Sequence, residues 1–414
     1  MAPASKSAMQ RAVAIAALAD GISEISNLCW SDDAEAALRV SAVLGAKIER
    51  SKDSLLISGL GMEAIKNADK GKRLSVSCGE SGLSLRMFSS IAALFPYELE
   101  LKAEGSLRSR PAGMAEEPLR QLGASCYSKD GCPPLAIRGP IKPGSVKTDA
   151  GQSSQFLSGL LIALACAGGR SVVKAEKLAS KGYINLTTSL MKKFGADCTC
   201  APDCRTFELE GQGYVAANYE VEGDWSAAAF LLAAAASAGM PSGLRVGGLG
   251  RHSFQPDRAV LTALEAAGAV LNWDGLDICV KPGRLKAFSF NATDCPDLFP
   301  PLAALAASCE GTSYIDGAGR LKNKESDRAK TLEKEFAKLG IEIKTEKDVM
   351  HIRGSSIKPL PGAVLDSHGD HRIAMALAVA ALGAPGPMEI CGAESVNKSY
   401  PGFFKDIECL RHPA

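Results

Sequence analysis

Cations and hydroxyls recur in this chain where small-residue helices begin. Ser5-Lys6-Ser7 is followed one turn later by Arg11, and Gly79-Glu80-Ser81-Gly82-Leu83-Ser84-Leu85-Arg86 is a glycine-rich loop running into a helix. Ser153-Ser154-Gln155 opens an otherwise very apolar run. A Ser at a helix start is ordinarily a cap, and lone Lys or Arg side chains are ordinarily solvated. A helix N-terminus furnished with hydroxyls and cations is also an anion site, because its free N–H groups and dipole favour negative charge. Gly79–Arg86 lacks the lysine and the spacing of a P-loop. Gly59-Leu60-Gly61-Met62-Glu63-Ala64 falls at a hairpin exit, which argues against a dinucleotide fingerprint. A cap accounts for one polar residue of Ser153–Gln155. Three at the mouth of a buried helix are costly unless they bond something.

The second half of the chain adds carboxylates to the cations. Asp297, Lys322-Asn323-Lys324-Glu325-Ser326-Asp327-Arg328 and Asp370-His371-Arg372 each stand at or just before a helix start. Asp366, His368, Asp370 and His371 superficially match a binuclear metal-ligand set, but such a site needs more histidines downstream, only His412 follows, at the extreme C-terminus, and Arg372 is adjacent, so no metal is expected. Cys198, Cys200 and Cys204 fall in a predicted hairpin without a partner cluster. If the helix starts come together, they describe a cleft rich in Arg and Lys, suited to ligands with several phosphates or carboxylates. Asp297 and Glu325 would be carboxylates in that cationic pocket, candidates for proton transfer.

The elements that must position these residues repeat. A helical run closed by Gly and followed by two short strands occurs at Ala34–Ser58, and recurs around Gly123, Gly195, Gly268 and Gly340. Between these pieces lie helices rich in Ala and Leu with few charges: Arg11–Leu18, Ser84–Leu94, Ser153–Ala167, Ser226–Ala238, Asp297–Cys309 and Asp370–Leu382. Their composition places them inside, with sheets around them. About six α/β units of ~70 residues result, three on each side of a crossing at Glu222–Trp225.

Composition excludes other classes. Apolar residues are 46% and charged residues 22% of 414, so the chain is globular with ample core. Lys and Arg (47) against Asp and Glu (46) leave a net charge of +1, which gives no global reason to bind nucleic acid or membrane. No apolar stretch reaches the ~20 residues of a membrane span. Lys6 and Arg11 ahead of Ala12–Ala19 outline a secretory signal, but an Ala-rich amphipathic helix is the expected reading, because no clean cleavage site follows. Thirteen scattered cysteines fit a reducing, cytoplasmic setting.

Taken in order, these motifs resemble the 3-phosphoshikimate 1-carboxyvinyltransferase (5-enolpyruvylshikimate-3-phosphate synthase) family along nearly the whole chain. The resemblance rests on Ser5-Lys6-Ser7, the Gly79–Arg86 loop, Arg110-Pro111, Ser153-Ser154-Gln155-Phe156-Leu157 and Glu222-Gly223-Asp224. It continues through Pro296-Asp297-Leu298, Lys324-Glu325-Ser326-Asp327-Arg328, Asp370-His371-Arg372, and Lys398 with Pro401. It implies an α/β fold, a two-lobed inverted α/β barrel of six βαβαββ-type units. The lobes would be 4–221 and 222–414, with residues 1–3 joining the second.

The resemblance also implies an activity. The enolpyruvyl group of phosphoenolpyruvate would pass to the 5-hydroxyl of shikimate 3-phosphate with release of phosphate, in the shikimate pathway to chorismate and aromatic amino acids. No cofactor or metal is implied, and a monomer is expected. Lys6, Ser7, Arg11, Ser153, Ser154, Gln155, Ser180, Tyr183, Asp297 and Lys324 would hold shikimate 3-phosphate. Lys6, Gly82, Arg86, Arg110, Gln155, Arg328, Arg372 and Lys398 would hold phosphoenolpyruvate. Asp297, Glu325 and Lys6 would carry the proton transfers. Glu80, Leu83 and Arg320 stand where many relatives carry Asn, Thr and Asn. Transfer to UDP-N-acetylglucosamine, or a barrel that has lost its chemistry, are the alternatives. The Ser-Lys-Ser, Ser-Ser-Gln and Lys-Glu-Ser-Asp-Arg motifs weigh against the first, and the retained carboxylates and cations against the second.

Overall fold

A helix, a left-handed glycine and a hairpin form the repeating piece. Ser31 caps the helix Asp32–Leu44, and Gly45 closes it at φ 118°, a conformation that a Cβ would strain. The strands Lys47–Arg50 and Ser54–Ser58 then pair antiparallel. The same positive φ closes the later copies at Gly123, Gly195, Gly268 and Gly340. The computed structural model describes residues 1–408 except 152, 239–242, 276 and 282.

The chain divides into two compact units, Ala4–Val221, and Met1–Pro3 with Glu222–Ala414. In the first, three four-stranded sheets surround the helices Lys6–Leu18, Gly82–Ala92 and Ser154–Leu164. The strands alternate, as in Ser145–Ala150, where every second residue is buried, so each sheet turns one face inward. The helices are buried almost all round. Every residue from Ala8 to Leu18 is buried, which replaces the expected amphipathic helix at the N-terminus with a core helix. Small residues make this possible. A Cβ on Gly159 would stand 2.3 Å from the Met87 carbonyl, so only glycine lets Ser154–Leu164 lie this close to Gly82–Ala92.

In the second unit the helices Trp225–Ser237, Phe299–Ala307 and His371–Ala381 are likewise buried. Around them lie a three-stranded sheet, a four-stranded sheet and a two-stranded sheet, Val364–Asp366 with Glu389–Cys391. Among the described residues the sixth piece has no closing helix, glycine and hairpin. It continues as a 3-10 turn, Ala393–Lys398, and a short helix, Phe403–Glu408. Asp297 does not open its helix as expected. It sits in a separate 3-10 turn, Pro296–Leu298, because Pro300 and Pro301 lack N–H groups and must occupy the first turn of Phe299–Ala307. Among the described residues no helix is long and apolar enough to cross a membrane.

Candidate active site

Within Ala4–Val221 the sequence-marked residues come from the starts of the three buried helices and the segments beside them. Ser5, not Ser7, caps the first helix, by accepting from the Ala8 N–H. Lys6 and Ser7 thus lie in its first turn. The Lys6 ammonium pairs with Asp33 at 2.8 Å. Asp33 had no local signal in the sequence. One helical turn on, Arg11 donates to the Ser7 carbonyl (2.8 Å), the Thr187 hydroxyl (2.8 Å) and the Ser158 hydroxyl (3.3 Å). Its guanidinium also lies 5.5 Å from the centre of the Tyr183 ring. Burial among these neutral partners pulls the Arg11 pKa down to about 10.

The second and third helix starts meet. Ser81 caps Gly82–Ala92, and Ser153 caps Ser154–Leu164. Arg86 donates twice to the Pro111 carbonyl (3.1 and 2.8 Å) and once to the Gln155 amide oxygen at 2.7 Å. This explains the Arg110-Pro111 pair. The carbonyl after Arg110 aims Arg86, while the Arg110 guanidinium lies against Gly82. A Cβ on Gly82 would meet Arg86 Nη1 at 3.0 Å and Arg110 Nη2 at 3.3 Å. Glycine therefore lets two cations lie close against the N-terminus of a helix. Glu80 turns elsewhere and accepts from the Ser106 hydroxyl at 3.1 Å. Ser180 is buried and left-handed at φ 56°, directly before the helix Lys181–Lys193 that carries Tyr183 and Thr187. Gln10 was also missed. From the first helix its amide donates to the Asp33 carbonyl (2.7 Å), Ser81 (2.8 Å) and Ser84 (3.0 Å), tying the lysine's partner to the glycine-rich loop.

Within Glu222–Ala414 one ion cluster gathers most of the marked residues. Asp297 Oδ1 accepts from Arg328 at 2.8 Å and Lys324 at 3.2 Å, and Oδ2 lies 3.2 Å from Arg372 Nη2. Arg372 Nη1 donates to the Asp297 carbonyl at 3.3 Å. Arg328 also reaches Glu325 (2.6 Å) and Asp370 (2.8 and 3.2 Å). Asp370, fully buried, further accepts from Ser326 (3.1 Å) and caps the Arg372 N–H (3.0 Å). Burial works against the ionised form of Asp297, but Arg372, Lys324 and Arg328 together hold its carboxyl well below the usual carboxylate range. Burial, opposed by Asp297, lowers the Lys324 ammonium. Lys398 ends the turn Ala393–Lys398, buried, and that turn packs on the helix His371–Ala381 that carries Arg372. Arg320 donates to the Thr293 carbonyl.

Each unit thus provides cations aimed at helix starts, and the second adds an ionised carboxylate among them. Residues 1–407 match the family described as EPSP synthase (3-phosphoshikimate 1-carboxyvinyltransferase). A curated 3-phosphoshikimate 1-carboxyvinyltransferase from Methanocella arvoryzae is 38% identical over 412 residues, covering 98% of this chain and 94% of the relative. One from Clostridium kluyveri is 36% identical over 410 residues, covering 99% and 93%. The solved EPSP synthase of Acinetobacter baumannii superposes with TM-score 0.81 at 28% identity, over 99% of this chain and 94% of that one. The enolpyruvyl transferase NikO of Streptomyces tendae, at 17% identity and TM-score 0.75 over 99% and 94%, shares the fold. The enolpyruvyl transferase architecture, the ordered motifs and the match along almost the entire length place this chain in the EPSP synthase family.

Proposed function

We propose that the protein transfers the enolpyruvyl group of phosphoenolpyruvate to the 5-hydroxyl of shikimate 3-phosphate, in the shikimate pathway to aromatic amino acids. The observation that carries the reading is Asp297, a carboxylate kept ionised by Lys324, Arg328 and Arg372. In the addition step the 5-oxygen bonds to C2 of the enol, its proton passes to Asp297, and the methylene carbon gains a proton. In the elimination step that carbon gives a proton back and the C2–phosphate oxygen bond breaks. Base and acid must both be positioned, and the gathered cations must neutralise two phosphates and a carboxylate.

The residues divide the work. Lys6, Ser7, Arg11, Ser153, Ser154, Gln155, Ser180, Tyr183, Asp297 and Lys324 hold shikimate 3-phosphate. Lys6, Gly82, Arg86, Arg110, Gln155, Arg328, Arg372 and Lys398 hold phosphoenolpyruvate. The close approach of the Arg86 and Arg110 guanidiniums to Gly82 at a helix start supports the second assignment. Glu325 and Lys6 assist the proton transfers. The twelve cysteines among the described residues are free thiols, which supports the cytoplasm.

The test is phosphate release from phosphoenolpyruvate with shikimate 3-phosphate as acceptor. Release with UDP-N-acetylglucosamine instead, or with neither, would overturn the reading.

A further inference from the structure

Asp366 and His368, marked in the sequence beside Asp370, have no part in the scheme above. Both bond to Glu335, which is fully buried in the helix Arg328–Lys338. Glu335 Oε2 accepts from the Asp366 N–H (2.9 Å) and the Lys338 ammonium (2.7 Å), and Oε1 lies 2.9 Å from His368 Nε2. An ionised carboxylate only accepts, so His368 donates to it from Nε2.

A tight turn follows Asp366. The Asp370 N–H donates to the Ser367 carbonyl at 2.9 Å, and the two residues between them, His368 and Gly369, are left-handed at φ 51° and 70°. Two successive positive φ values belong to a type I′ turn, whose first central position suits Asn or Gly. His stands there instead and carries backbone strain. Two bonds hold it: its N–H donates to Asp366 Oδ1 (2.7 Å), and its ring donates to Glu335. Beside it, Ser367 donates to the Gly392 carbonyl at 2.9 Å. The turn ends in Asp370, which caps the helix His371–Ala381 at the Arg372 N–H (3.0 Å) and accepts from Arg328 (2.8 and 3.2 Å). Arg328 and Glu335 belong to one helix, about two turns apart, and so share a face. That helix therefore grips segment 366–370 at both ends, with Glu335 on Asp366 and His368 and with Arg328 on Asp370.

We propose that Glu335 and His368 are positioning residues for phosphoenolpyruvate binding: their bond fixes the turn that presents Asp370 to the Arg328 side chain and the Arg372 N–H. This role rests on Arg328 and Arg372 holding phosphoenolpyruvate, as proposed above. Without the bond, the left-handed His368 is held only by its neighbour Asp366, and the turn can relax. Asp370 then shifts, and with it the aim of Arg328 and the start of the helix that carries Arg372. Neither Glu335 nor His368 touches substrate.

The test is steady-state kinetics of His368→Asn, His368→Gly and His368→Gln in the full chain. Asn and Gly suit the turn but are too short to reach Glu335, whereas the longer Gln amide can replace the ring's donor. The replaced residue is exposed, so the core is left intact, and unfolding in denaturant checks that each variant is folded. His368→Asn and His368→Gly should each raise KM for phosphoenolpyruvate about two- to tenfold, the worth of one hydrogen bond, with kcat and KM for shikimate 3-phosphate within about twofold. His368→Gln should stay near the parent in all three. An unchanged KM for phosphoenolpyruvate in the short variants overturns the proposal. An equal defect in His368→Gln overturns it too, as does a loss spread evenly over kcat and both KM values, which marks a merely structural role. Arg372→Ala separates this role from the reading beneath it. If it binds phosphoenolpyruvate as the parent does, that reading falls and the proposal with it. If it binds weakly while the short variants are unchanged, only the role of Glu335 and His368 falls.

Discussion

Arg11 and Arg328 are each 1% exposed, yet they are buried in opposite ways. Arg11, in the unit Ala4–Val221, is held by a carbonyl, two hydroxyls and an aromatic face. Arg328, in the unit Glu222–Ala414, is held by Asp370, Glu325 and Asp297. Burial weakens the hold of Arg11 on its proton. For Arg328 the same burial is outweighed by Asp370, Glu325 and Asp297, which tighten the hold. A buried cation among neutral groups keeps most of its field for an incoming anion. One neutralised in advance also fixes the carboxylates around it, and meets an incoming anion with less of its field. The first unit surrounds its buried cation with neutral groups, and the second surrounds its own with carboxylates.

The largest expected effect tests the second half of that contrast. Asp297→Asn keeps the shape and removes the proposed base, so turnover should fall about 10²–10⁴-fold. Phosphoenolpyruvate affinity should be kept or raised, because Lys324, Arg328 and Arg372 lose a counter-ion. Rapid-quench turnover and a binding titration check this, and intact turnover with weakened binding would break the assignment.

Unfolding in denaturant tests the arginines themselves. Arg328→Met strands buried carboxylates and should cost about 3–5 kcal/mol. Arg11→Met strands only neutral acceptors, at about 1–3 kcal/mol. The reverse order would sink the comparison.

Smaller again, Arg110→Ala and Arg372→Ala should each weaken phosphoenolpyruvate binding by about 1.5–3 kcal/mol, the worth of a charged hydrogen bond. Shikimate 3-phosphate binding alone should change less, and calorimetry with each ligand separates the two.

The smallest effect is on acid stability. Asp297 is held low as described. Burial of Glu335 is likewise outweighed, by Lys338, His368 and the Asp366 N–H, so its carboxyl is lowered too. A carboxyl lowered on folding contributes stability that is complete above the ordinary carboxylate range and is lost as pH falls toward its folded value. Glu335→Gln should therefore narrow the stability difference between pH 7 and pH 3. An unchanged difference in thermal unfolding would show that the ion pairs of Glu335 contribute nothing.

The repeat was legible because its signals are local. A closing glycine such as Gly45, a capping serine such as Ser81 and a charge-poor helix such as Trp225–Ser237 are each written in consecutive residues. The side chains that aim the site were not. Lys6 finds Asp33 27 residues away, Arg328 finds Asp370 at 42 and Arg11 finds Thr187 at 176. No spacing rule spans such distances, since only the finished fold brings these partners together. The helix start placed at Asp297 erred for a different reason. Its polar residue marked the right place, but Pro300-Pro301 moved the α-helical start past it.

Asp297 has one more consequence. Its two oxygens already occupy three cations, so on the function proposed above the resting protein carries a covalently attached competitor for its own anion site. Such a tethered group acts at an effective concentration of millimolar or more. A stray chloride offers one charge and little geometry, and it cannot displace a carboxylate that never diffuses away. A ligand carrying both a phosphate and a carboxylate can satisfy the cations better than Asp297 does. On that scheme its arrival is an ion exchange, and the carboxylate it releases is the group proposed to take a proton.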